Sequence, residues 1–141
     1  MEKHLGLVAC LVVLLTLPIP AQFAPGLAAD IPFGFYAGDQ WLPAGKYEFF
    51  AEGRMVTLWS PDRFVCHVLV LGGPQADKSD RPSIAFTKYS SDRIFLARLH
   101  NPIRTVAHEL VKSKREREVV SSRVVSQNKP ETVVILARLS R

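Results

Sequence analysis

Residues 42–71 read LPAGKYEFFAEGRMVTLWSPDRFVCHVLVL. Three short apolar runs, Lys46–Ala51, Met55–Trp59 and Phe64–Leu71, alternate here with three turn signals at even spacing. In Leu42-Pro43-Ala44-Gly45 the proline presets φ for a turn corner, and Gly45 is expected to take the positive φ that follows. Glu52-Gly53-Arg54 and Ser60-Pro61-Asp62-Arg63 interrupt the chain again. The runs are too short for ordinary helices and rich in Val, Phe, Trp and Thr, so each reads as a β-strand. Phe64–Leu71 is the most apolar and is expected to be central.

The same rhythm extends outward. Ile31, Phe33 and Phe35 alternate with Pro32 and Gly34, predicting a first strand with one buried face and Pro32 at an edge or start. A polar, proline-bounded loop covers 72–82. Ser83–Tyr89 and Ile94–His100 then form a hairpin across Ser90-Ser91-Asp92-Arg93. With a closing strand at Thr132–Ala137, the reading is mainly β: a small antiparallel β-sandwich or barrel of about seven strands. One short C-terminal helix is expected over Ser113–Arg123. Ser113-Lys114-Arg115-Glu116 fits a capping box in which Glu116 reaches back to the cap. Lys112/Glu116 and Lys114/Glu118 have helical spacing. Val119, Val120, Val124 and Val125 carry the competing preference for strand.

The chain has 141 residues and a formal net charge of +5, room for one domain. It is too apolar for a disordered tail and too charged for a multi-span membrane protein. Residues 1–29 place Glu2 and Lys3 before an apolar run, Leu5–Leu17, and end in small residues, the layout of a secretory signal peptide. Cleavage is expected after Ala28 or Ala29, with Ala21 as the alternative. Pro18 and Pro20 close the run before the roughly 20 apolar residues that a membrane anchor needs. Cys10, in Leu7-Val8-Ala9-Cys10, stands inside that run rather than after it, which argues against a lipoprotein acceptor. Residues 30–141 are then a single exported β-rich domain, periplasmic or secreted, with no membrane span. An outer-membrane barrel is not expected, because no continuous lipid-facing alternation is present. Cys66 is the one cysteine left, cannot form an internal disulfide, and reads as a buried structural residue.

Motifs for chemistry are sparse. His108-Glu109-Leu110-Val111-Lys112 opens like a zinc-protease helix, but Lys112 occupies the position of the second histidine. No Gly-x-Ser-x-Gly elbow or phosphate loop is present. His67 alternates within an apolar strand and reads as a packed or edge histidine. Asp77 and Asp80 lie beside Lys78 and Arg81 as solvated loop charge. No catalytic, cofactor-binding or metal-ligating residue is assigned.

Charge and aromatics are unevenly placed. Residues 30–97 carry a net charge of −1 and residues 98–141 a net charge of +6. The densest bases, Lys112, Lys114, Arg115 and Arg117, are candidate contacts for an anionic envelope polymer or an envelope protein, although a soluble, salt-bridged helix is the preferred reading of them. Lys114 and Arg115 oppose the dipole of the helix they open. Export makes nucleic acid an unexpected partner. Trp41, Tyr47, Phe49, Phe50, Trp59 and Phe64 crowd the N-terminal half. Phe49 and Phe50 must face opposite sides of their strand, which predicts a sheet buried on both faces. The alternative is exposed rings that stack on sugars or grip a partner.

Ile31-Pro32-Phe33, Phe35, Ala37-Gly38 and Leu42-Pro43-Ala44-Gly45-Lys46-Tyr47 together resemble the opening of an uncharacterised group of small exported bacterial proteins. Ser113-Lys114-Arg115-Glu116-Arg117-Glu118 resembles that group's C-terminal charged segment, with Val111 standing where the group has proline. The resemblance implies export and one β-rich domain, and carries over no catalytic residue. The function expected is a non-enzymatic exported domain with a binding or structural role in the cell envelope and no cofactor. Two alternatives stand beside it: a small periplasmic hydrolase using His100, His108 and Glu109, and an electrostatic adaptor using the 112–117 bases.

Overall fold

The computed structural model describes residues 25–61, 63–74, 79–104, 106–122 and 129–141. The run Leu5–Leu17, Cys10, Asp77 and the expected helix end at Arg123 lie outside them. The chain is mainly β. Its strands are β1 (Gly26–Ile31), β2 (Phe35–Ala37), β3 (Gln40–Leu42), β4 (Gly45–Glu52), β5 (Met55–Ser60), β6 (Arg63–Pro74), β7 (Ser83–Ser90), β8 (Arg93–His100), β9 (Val106–Leu110), β10 (Glu131–Leu136) and β11 (Arg138–Ser140). The one helix among the described residues is α1 (Lys114–Ser121).

The ladders run in the order β10-β7-β8-β9-β6-β5-β4-β1-β11, and the β2–β3 hairpin attaches through β8. Pairing is antiparallel except for one parallel contact, Tyr36 with Phe95. Two segments change partners along their length. β6 pairs β5 through Leu69 and β9 from Val70 onward. At that changeover Val70 N donates to Arg54 O at 2.9 Å, and Val111 N donates to Leu69 O at 3.1 Å. A proline at 111 has no N–H for the second bond. The second segment is the C-terminal one. β10 pairs β7 from Glu131 to Leu136, and β11 pairs β1 from Arg138 to Ser140. Only Ala137 separates the two, with its N–H bonded to Pro82 O at 2.9 Å.

Period-two alternation builds one core. Leu27, Ala29 and Ile31 of β1, Tyr47 and Phe49 of β4, Val56 and Leu58 of β5, Cys66, Val68 and Val70 of β6, and Ile84 and Phe86 of β7 all face it. Phe35 is fully buried and makes edge-to-face contacts with Tyr47 at 5.3 Å and Phe86 at 5.2 Å. Cys66 is buried and free, and burial pushes its thiol pKa up.

Several expectations change. Among the described residues there are eleven strand segments where about seven are expected. Pro32 breaks the predicted first strand into β1 and β2, while β3, β9 and β11 are short segments with weak sequence signals. Among the described residues the positive-φ glycines are Gly38 at 64° and Gly53 at 57°, not Gly45, which begins β4 in register with Ile31. His108 sits on strand β9 rather than on a helix. Segment 113–121 resolves in favour of helix, capped by Ser113.

Strand β1 starts four residues before Asp30. Leu27, Ala28 and Ala29 are buried, and Gly26–Ala28 supply all three β1 partners of β11. Pro25 O accepts a bond from Asn101 Nδ2 at 3.2 Å. A domain beginning at Asp30 would therefore lack most of a doubly paired strand. Chemical denaturation of a chain starting at Asp30 should reveal loss of cooperative folding relative to one starting at Pro25. Leu27→Ala in the longer chain should cost about 3 kcal/mol.

Candidate functional site

The bases expected to contact an anion stand at and just before the start of α1. Ser113 Oγ accepts from Glu116 N at 3.1 Å, which is half of the predicted capping box. The other half is absent, because the Glu116 carboxylate accepts from the Tyr89 hydroxyl at 2.9 Å instead. A second cap comes from far away in sequence: Asp39, in the β2–β3 turn, accepts from Arg115 N at 3.0 Å. That bond, with the Ser113 hydroxyl and the charges of Arg115 and Arg117, holds the Asp39 carboxyl below its ordinary pKa against a smaller desolvation effect. Asp39 thus offsets the bases at the helix N-terminus. The Arg115 guanidinium lies over the Tyr36 ring at 5.2 Å, and Arg117 donates to Lys112 O at 3.2 Å. Lys112 borders a groove on one side of the helix and Arg115 a smaller one with Tyr36 and Arg93 on another side. Lys114 is exposed. Arg115 and Arg117 thus have structural tasks at the helix.

The helix junction is buried and titratable. Burial raises the Glu116 pKa, opposed by the Tyr89 bond and by Lys112. Tyr89 is pushed up as well, by burial and then by Glu116. Phe95 stacks on Tyr36 at 5.0 Å and meets Tyr89 edge-on at 5.8 Å, so α1 sits over a small aromatic layer outside the main core.

The proposed hydrolase triad is divided by the sheet. Leu99 pairs with His108 and Arg98 with Glu109. Adjacent strand residues face opposite sides, so His108 shares the core side with Leu99, whereas His100, Arg98 and Glu109 share the outer side. His100 Nε2 donates to Ser79 O at 2.7 Å, and Arg98 forms an ion pair with Glu109. Burial, and then the charge of Arg104, lower the His108 pKa. Among the described residues no three His, Cys, Asp or Glu side chains are grouped to hold a metal ion.

The aromatics supply a different site. The expectation of a sheet buried on both faces fails at β5 and β6, where Met55, Trp59, Phe64, Leu69 and Leu71 point outward and are exposed. Phe49 enters the core and Phe50 stays half-buried. Trp59 meets Phe64 edge-on at 5.8 Å, Phe64 lies 4.7 Å from the His67 ring, and Thr57 Oγ1 shares a 2.9 Å hydrogen bond with His67 Nδ1. Where this face meets the β3–β4 turn there is an open cleft of about 490 Å³. Its walls include Trp41 and Phe64, 55% and 45% exposed, together with Gln40, Lys46, Ser60 and Arg63.

Local geometry fixes these walls. The Trp41 indole lies so close to the Gly34 backbone that a Cβ there would fall 2.9 Å from Cζ2. Tyr47 OH donates to Pro43 O at 2.7 Å, tying strand β4 to the turn. The adjacent-aromatic pattern signalled rings on both faces, but nothing in sequence placed Trp41 beside Phe64. Ladder register and two turns do that.

Two measurements test these assignments. Asp39→Ala should lower stability in urea by about 0.5–1 kcal/mol, the size of a solvent-exposed cap, with a partial loss of helical circular dichroism. His108 favours stability above pH 6.5 and withdraws it as pH falls through its lower folded value. Stability followed from pH 7 to pH 5 should therefore fall less steeply in His108→Gln than in the parent.

No family model, curated protein or solved structure matches this chain.

Proposed function

We propose that this chain is an exported, non-enzymatic β-domain that works by binding in the bacterial cell envelope, in the periplasm or outside the cell. The observation that carries the reading is the outward display of Trp41, Trp59 and Phe64 beside polar and basic groups on a fixed sheet rim. Large rings held half in solvent are characteristic of interaction surfaces. Division of His100 from His108 by the sheet favours this reading over the hydrolase alternative. Membership of the exported bacterial group belongs to the same proposal.

The finer architecture is a closed barrel rather than a sandwich. The support is the C-terminal segment, whose two halves pair with the strands at opposite ends of the ladder path. Leader removal ends before the paired strand, after Ala21 rather than after Ala28 or Ala29.

Fractionation of bacteria expressing the tagged full-length chain tests the reading. The expected result is a processed chain in periplasm or medium, with Gln22 at its N-terminus by mass spectrometry, and reproducible envelope partners on in situ cross-linking. An unprocessed cytoplasmic chain would contradict it.

A further inference from the structure

The geometry points to the Trp41–Phe64 cleft as a binding site for an acidic saccharide, a sugar chain bearing carboxylate or phosphate groups. This assignment rests on the binding reading above and names its ligand class.

Three features of the cleft carry it. The first is a pair of ring walls, each packed against a neighbour. Trp41 is backed by the Gly34 main chain, and Phe64 is braced by Trp59 and His67. Pyranose rings present apolar C–H faces that pack on such surfaces, and preformed walls reduce the entropy lost on binding. The second is the polar part of the lining. Gln40 offers an amide, Ser60 a hydroxyl and Arg63 a planar fork of donors, the groups that hydroxyls and carboxylates require. The third is charge. Two cations, Lys46 and Arg63, are among the described lining residues. Asp30 stands opposite Lys46 in the β1–β4 ladder, so Arg63 is the principal anion contact.

Shape separates a chain ligand from a small metabolite. The cleft is open along the rim rather than enclosed, and the outward apolar stripe continues from Phe64 through His67 to Leu69 and Leu71 on β6. A polymer can pass across such a rim, whereas a small ligand would remain largely in water. An acidic peptide matches the charge but offers no rigid C–H face to either ring.

Trp41 and Trp59 provide a fluorescence readout for the purified chain. The probe is an oligogalacturonate, compared with its neutral methyl ester and with polyglutamate. Saturable binding of the oligogalacturonate is expected, about tenfold weaker for the ester and for Trp41→Ala, and weaker still for Arg63→Glu. The paired variant Lys114→Glu/Arg117→Glu should bind like the parent, because those side chains lie outside the cleft. Thermal unfolding confirms that each variant is folded. Absent binding, equal binding of polyglutamate, unchanged binding by folded Trp41→Ala, or loss in the helix variant would overturn the assignment. Those outcomes leave the envelope reading standing if fractionation still finds the chain exported with partners. A cytoplasmic chain removes that reading whatever the sugar titration gives.

Discussion

A β-sheet leaves a row of unpaired N–H and C=O groups along each outermost strand, and an uncovered edge invites association with other chains. Here the two outermost strands of the ladder path, β10 and β11, are consecutive parts of one segment bent at Ala137. That segment has to satisfy β7 and β1 together. Its Val133, Ile135 and Ala137 side chains pack against the core that the other strands share. β1 is therefore held on both edges, by β4 and by β11, although it lies at the N-terminal start of the described chain. Everything displayed on the rim depends on this arrangement, because β4 and the β3–β4 turn are positioned by β1.

The helix is integrated by a different logic. Its intrinsic sequence is strongly charged, and eight residues are too few to be stable alone. Val119 and Glu116 provide its buried face, and Tyr89 satisfies the buried carboxylate. Asp39 completes the N-terminal cap across 76 residues of sequence. The acidic turn and the basic helix start are thus complementary parts of one junction. The basic third of the chain contributes to folding as well as to surface charge.

Much of the ladder was legible in advance. Alternation marked β4 through β8 and β10 to within a few residues, since each has one apolar face and a turn signal at its ends. Ser113 was legible as a cap because a short hydroxyl before a charged helical run has few other uses. What escaped the sequence is informative. Gly26–Ala29 read as the end of an apolar leader, because small residues before a polar one look the same in a cleavage site and in a tightly paired strand. Glu116 was assigned to its own helix because local spacing says nothing about Tyr89. His100 and His108 were grouped by type, and only ladder register separates them by face. The Trp41–Phe64 cleft was less legible: crowded rings favour a sheet buried on both faces, and both the exposure and the proximity of these two required the fold.

The most direct test of closure is residue-resolved amide hydrogen exchange on the chain starting at Pro25. The amides of 131–140 should share the slow exchange of β7 and β8, with β1 and β11 opening as one unit with the rest of the sheet. Fast exchange confined to β11 and the outer edge of β1, beside a protected β10, would mean that the C-terminal segment holds only one end of the sheet and would contradict the account.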